Sequence, residues 1–221
     1  MLKKVKCYNE SLKLVEDYVA EEITVNLYGN KKLITKLNCS PNNLRQLAIG
    51  YLISMGYTTY ERIRNIDVRF PNIFTEFEHF KPKTKKTDVR FSLDKIFKLV
   101  ELLSKSEIWN LTGCTHVAIV YSDGKTVFCE DVSRSCAIDK ALGLSLENGI
   151  NLNRSVLVVS CRISEVVVKK AANAGIPIIA SKSAVTTAGL DLAEKMGLTI
   201  LGFVRNGTAK IYTNPWRFDK V

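Results

Sequence analysis

Residues 112–140 read TGCTHVAIVYSDGKTVFCEDVSRSCAIDK, and their pattern decides the fold class. HVAIVY at 116–121 is rich in β-branched residues, Asp123-Gly124 is a two-residue hairpin turn, and TVFC at 126–129 returns as a second strand. The chain then leaves through Glu130 and Asp131 into a predicted helix carrying Arg134, Asp139 and Lys140. Polar and ionisable groups thus gather at the ends of paired strands, where α/β proteins build binding sites.

Downstream, strands and helices alternate. Residues 155–160 predict a buried strand and 164–174 a helix stopped by Gly175. A strand at 176–180, a helix at 186–196 stopped by Gly197, and a strand at 199–204 follow. Gly207 turns the chain into a strand at 210–213. This β-α-β-α-β succession implies parallel strands with helices packed on them.

Upstream, strands at 23–28 and 32–38 flank the Gly29-Asn30 turn. Ser40 or Asn42 is expected to cap a helix over 43–55. Residues 63–70 predict a strand and 71–86 little structure, with 80–87 a solvated basic loop. Ser92 caps a helix to Leu103, and 106–111 reads as a connector. The shift near Thr87 divides the chain into a smaller α+β part, 1–87, and a larger α/β part, 88–221.

The chain has 221 residues, 46% hydrophobic, enough for a packed core. No apolar run reaches the length of a membrane span, and MLKKVKCYNESLKLVEDY lacks the apolar core of a secretory signal. The six cysteines form no C-x-x-C pair, so reduced thiols in the cytoplasm are expected. A net charge of +10 favours anionic partners, whether nucleic acid, phosphorylated ligands or acidic proteins.

Several residue sets could carry chemistry. The turns Ser160-Cys161-Arg162 and Ser181-Lys182-Ser183 each follow a strand and precede a helix. Helix N-termini attract phosphates, and Arg162 and Lys182 add charge. The turn formed by Phe203, Val204, Arg205, Asn206, Gly207 and Thr208 offers hydrogen-bonding groups beside a glycine that admits close backbone approach. Cys114 and His116 share a face if Cys114 is already extended, and with a further Cys or His they could hold a metal, though a buried thiol and a hydrogen-bonded histidine are the commoner outcome. They echo half of the zinc deaminase signature, H-x-E, yet Ala118 stands where the glutamate is needed.

The blocks TGCTH-x-A, EDV-x-R-x-x-A-x-DK, S-x-R-x-S, AGIPI-x-AS-x-SA-x-TT, LTI-x-GFVR and IYT together resemble the FdhD/NarQ family, with EEITVNLYGN and LRQLAIGYLISMGY fitting upstream. The resemblance implies a cytidine-deaminase-like α/β domain and a formate dehydrogenase accessory role. A cysteine desulfurase would load a persulfide, and the carrier would pass that sulfur to a molybdenum or tungsten bis(molybdopterin guanine dinucleotide) cofactor, bound as cargo rather than as a permanent cofactor. Formate dehydrogenase would receive the product. The family's cofactor segment maps onto residues 203–208, and the family implies a homodimer.

The chain departs from the family pattern at informative places. The family carries sulfur on a C-x-x-C loop ahead of the helix that begins here near Ser92, but no cysteine lies between Phe70 and Leu93. The family's EDVGRHNA reads EDVSRSCA, with Ser133, Ser135 and Cys136 at the changed positions. Three readings follow. A sulfur carrier would use Cys136, Cys114 or Cys161, with Cys136 favoured because Arg134 and a helix start would lower its pKa. A chaperone would bind the cofactor without sulfur transfer. A nucleic-acid or nucleotide-binding module would use the basic loop, but no aromatic stacking pattern accompanies it, so nucleic acid ranks last.

Overall fold

Every side chain of VLVV at 156–159 is buried, the pattern of a strand covered on both faces of a parallel sheet. The computed structural model describes residues 1–80 and 87–218. The basic stretch 81–86, expected to be loop, lies outside them. The fold is mixed α/β with three sheets.

The chain opens with a hairpin, β1 (Leu2–Tyr8) and β2 (Leu14–Ala20). Next come β3 (Ile23–Gly29), β4 (Lys32–Cys39), α1 (Leu44–Ser54), β5 (Ile63–Arg69) and β6 (Asn72–Phe77), which build a four-stranded sheet in the order β4-β3-β6-β5. β6 corrects the expectation of little structure after Pro71. Ile73, Thr75 and Phe77 point inward and alternate with exposed Phe74 and Glu76, a period-two signal hidden by the neighbouring proline. Neither Ser40 nor Asn42 caps α1; Asn43 takes that position in the left-handed region, without a side-chain bond.

After α2 (Leu93–Glu101), residues 107–112 form a short helix rather than a connector, α3 (Glu107–Thr112). Ser106 caps it, accepting from the Trp109 N–H at 3.0 Å. Then follow β7 (His116–Ser122), β8 (Lys125–Asp131), α4 (Arg134–Glu147), β9 (Val156–Val159), α5 (Glu165–Ala174), β10 (Ile178–Ser181), α6 (Thr187–Met196), β11 (Thr199–Arg205) and β12 (Thr208–Ile211). β8 runs on through Glu130 and Asp131, two residues past its expected end.

The second large sheet has the order β12-β11-β10-β9-β7-β8. β9, β10 and β11 are parallel, and β7 runs antiparallel to β9. The C-terminal ends of β8 to β11 and the start of β7 therefore share one edge. α4, α5 and α6 pack on one face through Ile138, Leu142, Val168 and Ala193, while α2 covers the other through Ile96 and Leu99.

α1 is shared between the two sheets. Leu47 and Ile49 pack against Val25, Leu27 and Ile73 of the four-stranded sheet. The helix also crosses α4 at backbone contact: a Cβ on Gly50 would lie 1.7 Å from the Asp139 carbonyl oxygen, and one on Gly143 would lie 2.0 Å from that of Gln46. Two buried ion pairs accompany this crossing. Lys140 Nζ lies 2.5 Å from Asp131 and donates to the Ser40 carbonyl and to Asn42 Oδ1, each at 2.9 Å. Lys170 Nζ donates to Asp139 at 2.7 Å and to Ser54 Oγ at 3.0 Å.

Candidate functional site

The strand-end edge holds a cavity of about 410 Å³ lined by His116, Arg134, Ser160, Cys161, Arg162, Ser164, Ser183 and Thr186. Topology explains the gathering. His116 begins β7, Arg134 begins α4, Ser160 to Arg162 follow β9, and Ser183 follows β10. Ser164 and Thr186 are the N-cap residues of α5 and α6. Thr186 caps its helix by accepting from the Gly189 N–H at 3.2 Å, whereas the Ser164 hydroxyl makes no capping bond. Two arginines and two helix N-termini thus face one space, an arrangement suited to phosphate groups.

The turns around the cavity are bonded to one another. Ser181 Oγ donates to the Cys161 carbonyl at 2.6 Å and accepts from the Ser183 N–H at 2.9 Å. The Ile163 N–H donates to the Ala184 carbonyl at 2.9 Å. Ser160 Oγ accepts from the Val117 N–H at 2.9 Å, tying the start of β7 to the end of β9. Ser181 is fully buried, so its role is to join the turns.

Lys182 leaves this cavity for a second one. Its Nζ lies 5.1 Å from the Trp109 ring centroid, and the residue lines a smaller groove of about 170 Å³ with Phe97, Val100, Glu101, Val204, Arg205, Asn206 and Gly207. Asn206 and Gly207 both have positive φ, at 50° and 69°, as a type I′ hairpin turn requires. Thr208 Oγ1 donates to the Arg205 carbonyl at 2.9 Å across that turn. Phe203 also has positive φ, 53°, and its N–H donates to the Ser183 carbonyl at 3.0 Å. The Lys182-Ser183 turn therefore stands between cavity and groove.

The cysteines separate by environment. Cys136 is buried in the core beneath the four-stranded sheet, and its thiol donates to the Asn38 carbonyl at 3.5 Å. Burial pushes it up to about 12, opposite to the lowering expected from Arg134. The reason is geometric: Arg134 lines the cavity, while Cys136, two residues on, faces the core. Cys161 lines the cavity, but it is 8% exposed and burial raises its pKa against the opposing pull of Arg134 and Arg162. Among the described residues Cys114 is the one exposed thiol.

Cys114 lies between α3 and β7, and Glu130 braces both sides of it. The buried Glu130 carboxylate accepts from Ser106 Oγ, from Thr115 Oγ1, and from the Trp109 N–H at 2.9 Å. His116, half-buried, has its pKa lowered first by burial and then by Arg134, with Asp131 opposing. Asp131 and Asp139 line neither this cavity nor the groove; both belong to the buried ion pairs.

Sequence reasoning placed Ser160 in a candidate turn but did not assign Ser164 and Thr186 to the site. Their cue was the N-cap position itself, a serine or threonine directly before each predicted helix. Phe97, Val100 and Glu101 come from the far end of α2, a contact that no local pattern signals. Two larger cavities, about 520 and 560 Å³, lie at the opposite end of the sheet, and neither is lined by a cysteine or histidine.

Comparison with known proteins agrees along nearly the whole chain. Residues 72–219 match the model of the FdhD/NarQ family. Protein FdhD of Methanocaldococcus jannaschii is 35% identical, covering 97% of each chain. The sulfur carrier protein FdhD of Methanothermobacter thermautotrophicus is 32% identical, covering 92% of each. A crystal structure of a provisionally assigned formate dehydrogenase accessory protein from Desulfotalea psychrophila superposes with a TM-score of 0.86 at 26% identity, covering 99% of this chain and 98% of that one. The chain belongs to the FdhD/NarQ family.

Proposed function

We propose that this protein is a formate dehydrogenase maturation factor of the cytoplasm. It holds a molybdenum or tungsten bis(molybdopterin guanine dinucleotide) cofactor as cargo and carries sulfur for it on Cys114. The observation that carries the reading is the pairing of the arginine-lined cavity with the Arg205-Asn206-Gly207 groove across the Lys182-Ser183 turn. Pyrophosphate groups suit Arg134, Arg162 and the two helix N-termini. A guanine base suits the groove, where Asn206 and the turn backbone offer hydrogen bonds beside Val100 and Phe97. The six-stranded sheet with three helices on one face is read as the family's cytidine-deaminase-like domain.

Sulfur loading is a thiolate exchange. The Cys114 thiolate attacks the outer sulfur of a persulfide on a cysteine desulfurase. A new S–S bond forms at Cys114, the donor's S–S bond breaks, and the donor leaves as a thiolate. Release of that sulfur as sulfide takes two electrons, which a thiol reductant supplies as it becomes a disulfide.

The test is the intact mass of the protein after incubation with an active desulfurase and cysteine. One reductant-labile sulfur, mapped to Cys114 and lost in C114A, is expected. Sulfur mapped to Cys161 would move the carrier into the cavity. No added sulfur, with guanosine diphosphate still bound and lost in R205A, would leave a cofactor-binding chaperone. Salt-sensitive RNA binding without nucleotide binding would favour the nucleic-acid reading instead.

A further inference from the structure

Among the described residues the Arg217 Nε–H is the one buried side-chain group without a hydrogen-bond partner. Arg217 follows β12 through a turn in which Asn214 takes the left-handed region and Pro215 to Arg217 wind one turn of 3-10 helix. That turn carries the guanidinium back onto the sheet, where the residue is 4% exposed. Nη1 donates to the Thr87 carbonyl at 2.7 Å, while Nη2 reaches the Gly197 carbonyl only at 3.4 Å. The Trp216 ring centroid lies 4.1 Å from the central guanidinium carbon. Both acceptors are neutral, and among the described residues no carboxylate forms an ion pair with Arg217. Burial lowers its pKa, with Asp88 opposing from farther off. A buried cation held by carbonyls alone is costly, and an unpaired buried N–H marks a missing acceptor.

Arg217, both of its acceptors and the ring stacked on it all line the cavity of about 560 Å³ at the start of β10 and β11, so the guanidinium fronts that space. Ile176, Pro177, Met196 and Leu198 supply an apolar wall. The other charged lining residues, Glu194 and Lys195, are exposed and of opposite sign, which leaves the Arg217 charge uncompensated. An apolar space of this size with one fixed polar group is the usual form of a small-ligand site.

We propose that this cavity binds a small organic carboxylate with an apolar body. The carboxylate accepts from the Nε–H and an Nη2–H, the guanidinium edge turned from Thr87, in the paired geometry that arginine favours. Nη1 keeps its bond to Thr87. The Nε edge is shut off from solvent, and the Trp216 side chain is the part that yields: it is 46% exposed and makes no hydrogen bond among the described residues. The apolar body lies against Met196, Leu198 and the Trp216 ring. The strand-end cavity of Arg134 and Arg162 is at the other end of the sheet, so this site stands whatever that one binds.

Titration of benzoate into the isotope-labelled full chain tests it, read at the arginine Nε–H signals and at the indole N–H signals of the two tryptophans, with W216F to assign them. Benzoate is expected to move the Arg217 and Trp216 signals with a Kd on the order of 1 mM, leaving Trp109 beside the other groove unmoved. Benzamide, the same shape without the charge, should bind at least about tenfold more weakly. R217K keeps the charge but loses the paired donors, and should also weaken benzoate about tenfold. If R217K does not fold, M196E sets a negative charge in the wall of the cavity and should abolish the shifts. No movement of the Trp216 signal overturns the proposal. So do benzamide shifts equal to those of benzoate, or benzoate binding unchanged in the folded variant. Inorganic phosphate moving the same signals as strongly as benzoate shows a bare anion site, and overturns it too.

Discussion

Lys170 on α5 donates to both carboxylate oxygens of Asp139 on α4, at 2.7 and 2.8 Å, with both side chains shut off from solvent. Ser54 of α1 completes the cluster, donating to Asp139 at 2.6 Å. Burial pushes the Asp139 carboxyl up while Lys170 and Ser54 oppose it. D139A or K170A strands a buried charge and is expected to cost about 3–5 kcal/mol. The double variant D139L/K170M should cost clearly less than the two alanine changes summed. Urea denaturation of all three variants checks this.

The α1–α4 crossing allows no side chain at its contact points. G50A and G143A each drive a methyl group into the backbone of the opposite helix. Each should cost about 3 kcal/mol or more, read as a drop in melting temperature. A stability equal to wild type in either variant would mean that the helices part easily.

Thiol reactivity should sort with burial. At about pH 8 iodoacetamide is expected to label Cys114 first and half-buried Cys7 after it. Cys39, Cys129 and Cys136, raised by burial to about 11, 12 and 12, should react only on unfolding. Peptide mapping after timed quenching reads the order.

His116 gives a pH dependence of known sign. Its pKa is lowered in the folded chain from the ordinary 6.5, so below pH 6.5 the unfolded chain binds the proton first. Stability is therefore lost as pH falls from 6.5 towards the folded value, and the loss stops below it. H116N should flatten that slope while leaving stability above pH 7 nearly unchanged. Denaturant midpoints measured at several pH values test it.

Anion binding should depend on the arginines singly and together. R134A and R162A are each expected to weaken pyrophosphate binding about tenfold, and the double variant more. Added salt should weaken the wild type more steeply than either variant. Calorimetric titration of inorganic pyrophosphate provides the numbers.

Much of the frame was legible because its signals are local. The β-branched run at β7, the Asp123-Gly124 turn, and the glycines ending α5 and α6 each act within a few residues. β1 and β2 were missed because their charged and apolar residues alternate without a buried face. β6 was missed beside a proline. Cys136 shows the other limit: being near Arg134 in sequence does not decide which way a helical side chain points, and two residues turn it by about 200°. The same spacing rule sends the adjacent Asp139 and Lys140 into different ion pairs, one with Lys170 and one with Asp131.

The way Lys140 is housed bears on inheritance. Its ammonium is held by Asp131 from one side of residue 87 and by Ser40 and Asn42 from the other. A chain cut at that residue would leave a cation inside the larger fragment with two of its three acceptors gone. The larger fragment is then not expected to fold by itself, and gene rearrangements that separate the two should be disfavoured. A single buried lysine thus couples the inheritance of the two parts, because its acceptors come from both.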